Sequence, residues 1–198
     1  MNSLLKKIIA NPQKYLTEEQ VSTMLSTYKK QEKETGPVPT ATKKNYIFTD
    51  GSCFKNGMKG CKGGYGVFFG DNDKRNMSQK IETQKVTNNV AELAAIYECV
   101  KILDDQKYTI VSDSMYSINC VTKWYKNWKK SNWKTAKGTD VSNKELVVGI
   151  TEELEKKNVT FIHVNSHQKE PSNKDSNEYF MWYGNHMADV LATSCNTQ

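Results

Sequence analysis

No apolar run in the chain approaches the roughly 20 residues a membrane helix needs. Its composition, 37% hydrophobic against 25% charged, lies on the polar side of globular usage. An integral membrane protein is therefore excluded. The N-terminus offers only a broken apolar stretch, Leu4, Leu5, Ile8 and Ile9 around Lys6 and Lys7, with no small-residue cleavage site, so a cleaved secretory leader is not expected. Cysteine is sparse and shows no pairing pattern. Cys53, Cys61, Cys99, Cys120 and Cys195 are odd in number and contain no C-x-x-C, which argues against a disulfide scaffold or a zinc finger and for free thiols in an intracellular setting. Proline is rarer still, at four residues, and two of these fall together at Pro37 and Pro39. At 198 residues the chain has room for one core and an appendage, and not for two enzymatic domains.

What is present is unevenly distributed. The net charge of +6 is made up of a segment at 122–137 with six lysines and no acid, a stretch at 1–44 with eight lysines and four glutamates, and a remainder that is net acidic. A mildly acidic body with one concentrated basic segment suits a protein that grips a polyanion in one place and does carboxylate chemistry in another. Residues 1–34 read as a helical appendage, with apolar positions at Leu4, Leu5, Ile8 and Ile9 and capping-box spacing from Thr17 to Gln20. Residues 35–44, proline-bearing and small-polar, read as an extended connector, and 45–198 as the main domain.

Within that domain, Tyr46-Ile47-Phe48 predicts a strand ending at Asp50, and 64–69 and 79–85 two further strands joined by a polar turn. From Asn88 the period changes to helical, with Leu93, Ile96, Val100 and Leu103 on one face. Then follow a strand at Tyr108-Thr109-Ile110-Val111, a helix from Met115 to Tyr125, a helix marked by Leu146, Val147, Ile150 and Leu154, a strand at 159–164, a polar loop at 168–178 and a last helix near 184–194. The order βββαβααβα implies an α/β fold with a mixed sheet, helical crossovers, and functional groups at strand C-terminal ends.

Asp50 and Asp113 fall at the ends of expected strands, Glu92 lies one turn into the helix that begins at Asn88, and Asp189 lies in the last helix. Four carboxylates converging on one sheet edge repel unless divalent cations neutralise them. All-oxygen ligands select Mg²⁺ or Mn²⁺.

These motifs resemble the type 1, cellular bacterial and eukaryotic branch of the ribonuclease H family. The resemblance is carried in order by Thr49-Asp50-Gly51-Ser52, Gly63-Gly64-Tyr65-Gly66, Thr87-Asn88-Asn89-Val90-Ala91-Glu92-Leu93, Ser112-Asp113-Ser114, the segment from Trp128 to Trp133, Asn143 to Leu146, Val164-Asn165-Ser166-His167 and Gly184-Asn185-His186-Met187-Ala188-Asp189. It covers about three quarters of the chain. It implies the ribonuclease H-like fold, a five-stranded mixed sheet with three antiparallel then parallel strands, flanked by helices and bearing a basic protrusion. It also implies an endonuclease that hydrolyses the RNA strand of RNA/DNA hybrids and leaves 5′-phosphate and 3′-hydroxyl ends. Asp50, Glu92, Asp113 and Asp189 would hold two Mg²⁺ ions, with Mn²⁺ as a substitute, which is chemistry the carboxylate pattern asks for independently. His167 matches the family's mobile histidine, associated with product departure or proton transfer. His163 and His186 are read as ordinary.

Substrate contacts follow from the same resemblance. Trp124 and Trp128, one helical turn apart and interleaved with Lys129 and Lys130, match the basic protrusion, whose aromatic faces and ammonium groups suit a DNA strand. Trp133 is read as a brace between protrusion and body. Tyr116 matches a DNA-channel aromatic. Lys85, Thr87 and Asn143 resemble a phosphate pocket, in which Lys85 replaces the more usual Arg and loses its bidentate fork. Asn56, Asn88 and Asn89 resemble the groups that read the minor groove and the RNA 2′-hydroxyls. The partner is thus a hybrid, acted on by a monomer away from any membrane, with residues 1–34 left to pack or to contact another protein. The same fold would also serve a non-catalytic hybrid-binding module or a DNA-directed nuclease. The intact carboxylate set argues against the first, and the protrusion and asparagines against the second.

Overall fold

The structure, a computed structural model, describes residues 45–54, 62–83 and 86–195. They fall within the larger of the chain's two units, Ala41–Gln198. The helical appendage expected over 1–34, the connector at 35–44, Asn56 and Lys85 lie outside the described residues. No helix among the described residues is long and apolar enough to cross a membrane.

Five strands, β1 (Tyr46–Phe54), β2 (Lys62–Phe68), β3 (Met77–Ile81), β4 (Lys107–Ser112) and β5 (Asn158–His163), form one open sheet in the order β3-β2-β1-β4-β5. The β1–β2 and β2–β3 pairs are antiparallel, and the β1–β4 and β4–β5 pairs parallel. The helices are α1 (Asn88–Lys101), α2 (Met115–Asn119), α3 (Tyr125–Lys130), α4 (Lys144–Leu154) and α5 (Asn177–Ser194). A π-type turn, Cys120–Trp124, joins α2 directly to α3, so the expected helix runs on past Tyr125 into the protrusion.

Strand alternation sorts the core onto two faces. Ile47, Val67 and Ile110 pack with Leu93, Ile96 and Val100 of α1 and Val147 and Ile150 of α4. Their neighbours Phe48, Phe68 and Val111 pack on the opposite face with Ala188 of α5. The face of α1 expected from its periodicity is wholly buried, and Thr87 caps that helix by accepting a hydrogen bond from the Val90 N–H (3.2 Å).

Three expectations are corrected. First, β1 does not stop at Asp50 but continues to Phe54. Its parallel pairing with β4 ends at Thr49↔Ser112, while pairing with β2 carries on through Asp50↔Gly66 to Phe54↔Lys62. Second, α5 begins at Asn177, not near Gly184. Ser176 caps it by accepting from the Tyr179 N–H (3.0 Å), and its first two turns are held by aromatic packing of Phe180 on Tyr46 and Phe48. Third, Cys53 is disulfide-bonded, whereas Cys99, Cys120 and Cys195 are free and buried. An odd cysteine count excludes complete pairing but not a single bridge.

Candidate active site

The acidic residues gather where the parallel pairing of β1 and β4 runs out. Alternation along β1 and β4 puts Asp50 and Asp113 on the same side as Phe48 and Val111, the side covered by α5. Ser112 Oγ accepts from the Ser114 N–H (3.1 Å), which shapes the turn that presents Asp113. Two glycines allow the helices to bring in the other carboxylates. A Cβ at Gly51 would collide with the backbone nitrogen of Glu92, so α1 lies directly against β1 there. Gly66, opposite Asp50 on β2, lies equally close beneath the carbonyl of Ala188, the residue before Asp189.

Asp50, Glu92 and Asp113 each offer an oxygen within 4.8 Å of the others. Asp50 is only 7% exposed, and Oε2 of Glu92 is buried without a hydrogen-bond partner among the described residues. Burial, with Asp113 and then Asp189 adding like charge, pushes the Asp50 carboxyl up from 3.8 to about 7, against the opposing effect of the Gly51 N–H. Burial and the charges of Asp50 and Asp113 likewise hold Glu92 well above the ordinary glutamate range. Such a set is costly for a protein to keep ionised by itself and fits a hard divalent cation with oxygen ligands.

A cleft of about 1280 Å³ runs from these carboxylates to the loop after β5. It brings together Asp50, Glu92, Asp113 and Asp189 with His167, Asn88 and Asn89. The backbone of His167 is left-handed, with φ of 51°.

Asn143, Tyr116 and the protrusion residues form a second group outside the lining of that cleft. Asn143, itself left-handed at φ 60°, donates from Nδ2 to the Tyr116 hydroxyl (3.2 Å). From Tyr116 a row of rings continues to Trp124 (5.9 Å between centroids), Trp128 (5.8 Å) and Trp133 (6.4 Å). Trp124 is 39% exposed, whereas Trp128 packs against the core beside Trp133, so the bracing role expected of Trp133 is shared by Trp128. Lys129 makes only a loose ion pair with Glu155 (3.8 Å), and both it and Lys130 are exposed.

Sequence reasoning missed two neighbours of Asp113. Asn185 donates from Nδ2 to Asp113 Oδ2 (3.4 Å), and its own Oδ1 is buried without a partner among the described residues. Its position one helical turn before Asp189 was the available signal. His163, ordinary by its sequence setting, lines the cleft with its Nε2 3.1 Å from the Asp113 carbonyl.

Clustered oxygen ligands at the edge of an open mixed sheet, beside an aromatic and basic ridge, define a centre of the metal-dependent hydrolytic kind. Comparison with known proteins narrows that class. The RNase H family profile matches residues 42–196, and the chain belongs to the ribonuclease H family, which makes it an endoribonuclease-type hydrolase. It is 40% identical over 154 residues to a ribonuclease H of Clostridium botulinum, covering 76% of this chain and 93% of that protein. It is 37% identical over 146 residues to a ribonuclease H of Schizosaccharomyces pombe, covering 74% of this chain and 50% of that one. The chain thus spans half the length of the fission-yeast relative and nearly all of the clostridial one. Among solved structures, the solution structure of the PFV RNase H domain shares the fold, with a TM-score of 0.55 and 23% identity over 77% of this chain and 93% of that domain.

Proposed function

We propose that the chain hydrolyses the RNA strand of RNA/DNA hybrids, using two divalent cations, Mg²⁺ or in its place Mn²⁺, held by Asp50, Glu92, Asp113 and Asp189. The observation that carries this reading is the convergence of three carboxylates within 4.8 Å, with a buried Glu92 oxygen that has no hydrogen-bond partner among the described residues. Cations bound there would supply an activated water on one side of the phosphodiester and charge stabilisation for the leaving oxygen on the other.

The chain's own residues do the rest. Asp50 and Asp113, fixed by the sheet, set the spacing of the ligands, and Asn185 restrains the Asp113 carboxylate. Asn88 and Asn89 open α1 on the wall of the cleft, where amide groups can both donate to and accept from an RNA 2′-hydroxyl, a group DNA lacks. Tyr116, Trp124 and Trp128, with Lys129, Lys130 and Asn143, offer the other strand a stacking row flanked by positive charge. Thr87, whose hydroxyl also caps α1, would share a phosphate of that strand with Lys85 and Asn143, and Asn56 would join Asn88 and Asn89 in reading the minor groove. His167, on the cleft wall, assists proton transfer or the departure of the 5′-phosphate product. On this reading the enzyme acts as a monomer, with the domain at 45–198 preceded by a connector at 35–44 and an appendage at 1–34 available to a protein partner.

Incubating the protein and Mg²⁺ with end-labelled hybrid, DNA duplex and RNA duplex tests the proposal. Cleavage confined to the RNA of the hybrid is expected. Cleavage of duplex DNA would instead mark a DNA-directed nuclease, and binding without cleavage a recognition module.

A further inference from the structure

The loop between β5 and α5 carries His167, and its attachment to the body is slight. Among the described residues, one hydrogen bond joins residues 165–172 to anything outside the loop. The indole Nε1–H of Trp182 donates to the carbonyl oxygen of Gln168 (3.0 Å), the residue next to His167. The other hydrogen bond shown for this segment, Gln168 Nε2 to the Ser166 carbonyl (3.5 Å), stays inside the loop. The tie falls where the backbone most needs one, because His167 is in the left-handed region, which a non-glycine residue keeps only when its surroundings hold it there.

Trp182 is itself rigidly mounted. Its ring stacks on His186, one helical turn along α5, with centroids 5.2 Å apart and planes at 8°. On the other side it meets the buried Tyr179 at 5.5 Å. Tyr179 stacks in turn on Tyr183 (6.0 Å, 11°), whose hydroxyl donates to Asp71 Oδ1 (2.7 Å). These rings belong to the first turns of α5, the part of the helix that starts before Gly184. His167, Gln168, Trp182 and His186 all line the cleft that holds the carboxylates.

The geometry points to Trp182 as a positioning residue for the reaction: its indole N–H fixes the Gln168 carbonyl, and with it the backbone from which His167 reaches into the cleft. This rests on the reading of His167 as a participant in turnover. Trp182 touches neither cation ligand nor substrate on this account and acts only through the histidine. A chain that lost the tie would keep its fold, carboxylates and substrate grip, while His167 spent less time in its working position.

Trp182→Phe keeps an aromatic ring for the stack and removes the N–H donor together with one ring of the indole. Steady-state kinetics on one hybrid should show turnover lowered by about 2- to 12-fold, the range set by loss of one neutral hydrogen bond, with KM and melting temperature unchanged. The deciding comparison is a double-mutant cycle with His167→Ala. If Trp182 works through the histidine, Trp182→Phe adds nothing in the His167→Ala background. Equal losses in both backgrounds, or no loss in the wild type, would overturn the assignment. If His167→Ala alone leaves turnover unchanged, the reading of His167 is wrong and the proposal falls with it, an outcome separate from the previous two. Hydrogen exchange of the Trp182 indole N–H in the unmodified protein gives a check that needs no variant to fold. Protection relative to the exposed Trp124 indole is expected, and exchange as fast as that of Trp124 would refute the tie.

Discussion

Replacing Asp50 by Asn should stabilise the cation-free protein while destroying its activity. The Asp50 carboxyl is raised from 3.8 in the unfolded chain to about 7 in the folded one, by burial and then by the charges of Asp113 and Asp189. At about 1.4 kcal/mol per unit, holding it ionised above about pH 7 costs the folded state up to about 4 kcal/mol. Asn has the same shape and no charge, but its amide protons need partners, and one left unsatisfied costs about 1–3 kcal/mol. The net gain is then about 1–3 kcal/mol, or roughly 2–12 °C in melting temperature for a domain of this size. The sign follows from proton linkage. Between about pH 4 and about pH 7 the folded wild type binds more protons than the unfolded chain, so its stability falls as pH rises through that window, and the variant loses this share of the fall. Glu92, raised in the same direction, leaves a residual slope in both proteins. Thermal unfolding followed by circular dichroism in EDTA, at about pH 4 and about pH 8, reads the difference. The variant should fall below the wild type at the lower pH, where only the cost of its amide is felt, and exceed it at the higher. Saturating Mg²⁺ should then raise the wild type more than the variant. A variant no more stable at about pH 8, or one shifted equally at both values, would refute the reasoning.

Two other outcomes are expected. Gly51→Ala drives a methyl group into the backbone of α1 at Glu92, so it should lower the melting temperature and weaken Mg²⁺ binding together, as measured by calorimetry; unchanged values would mean that the close approach of α1 to β1 is not required. Lys129→Ala with Lys130→Ala should raise KM for the hybrid and flatten its log–log salt dependence by up to about one unit per lost phosphate contact, with saturated turnover preserved; an unchanged slope with collapsed turnover would make the protrusion a structural element only.

The succession of strands and helices, the buried face of α1 and the meeting of Asp50, Glu92 and Asp113 were legible because each rests on a local signal: period-two strands, helical periodicity, and acids beside small turn-forming residues. The antiparallel-then-parallel arrangement of the sheet was legible only through the family resemblance. The continuation of β1 was not, because Gly51-Ser52-Cys53 reads as a turn. The pairing that extends the strand comes from the glycine-rich β2, a long-range partner. The early start of α5 was missed for a similar reason: 177–183 is a polar and aromatic stretch running up to a glycine, and it is held as helix by Phe180 packing on Tyr46 and Phe48 from the distant β1. Trp182 was hidden by that error, since a residue assigned to a loop has no defined face, whereas Asn185 falls within the expected helix and was passed over there. Sequence spacing also could not tell that Trp128 is half-buried against the core while Trp124 stays exposed.

Single-turnover cleavage of a hybrid labelled on its RNA strand, followed across a Mg²⁺ titration with the wild type and with Glu92→Gln, bears most directly on the claim that the clustered carboxylates hold the cations of the reaction. RNA cleavage that rises to a plateau with Mg²⁺, leaves 5′-phosphate ends and disappears in Glu92→Gln is predicted. Cleavage without divalent cation, or near wild-type cleavage by Glu92→Gln, would contradict it.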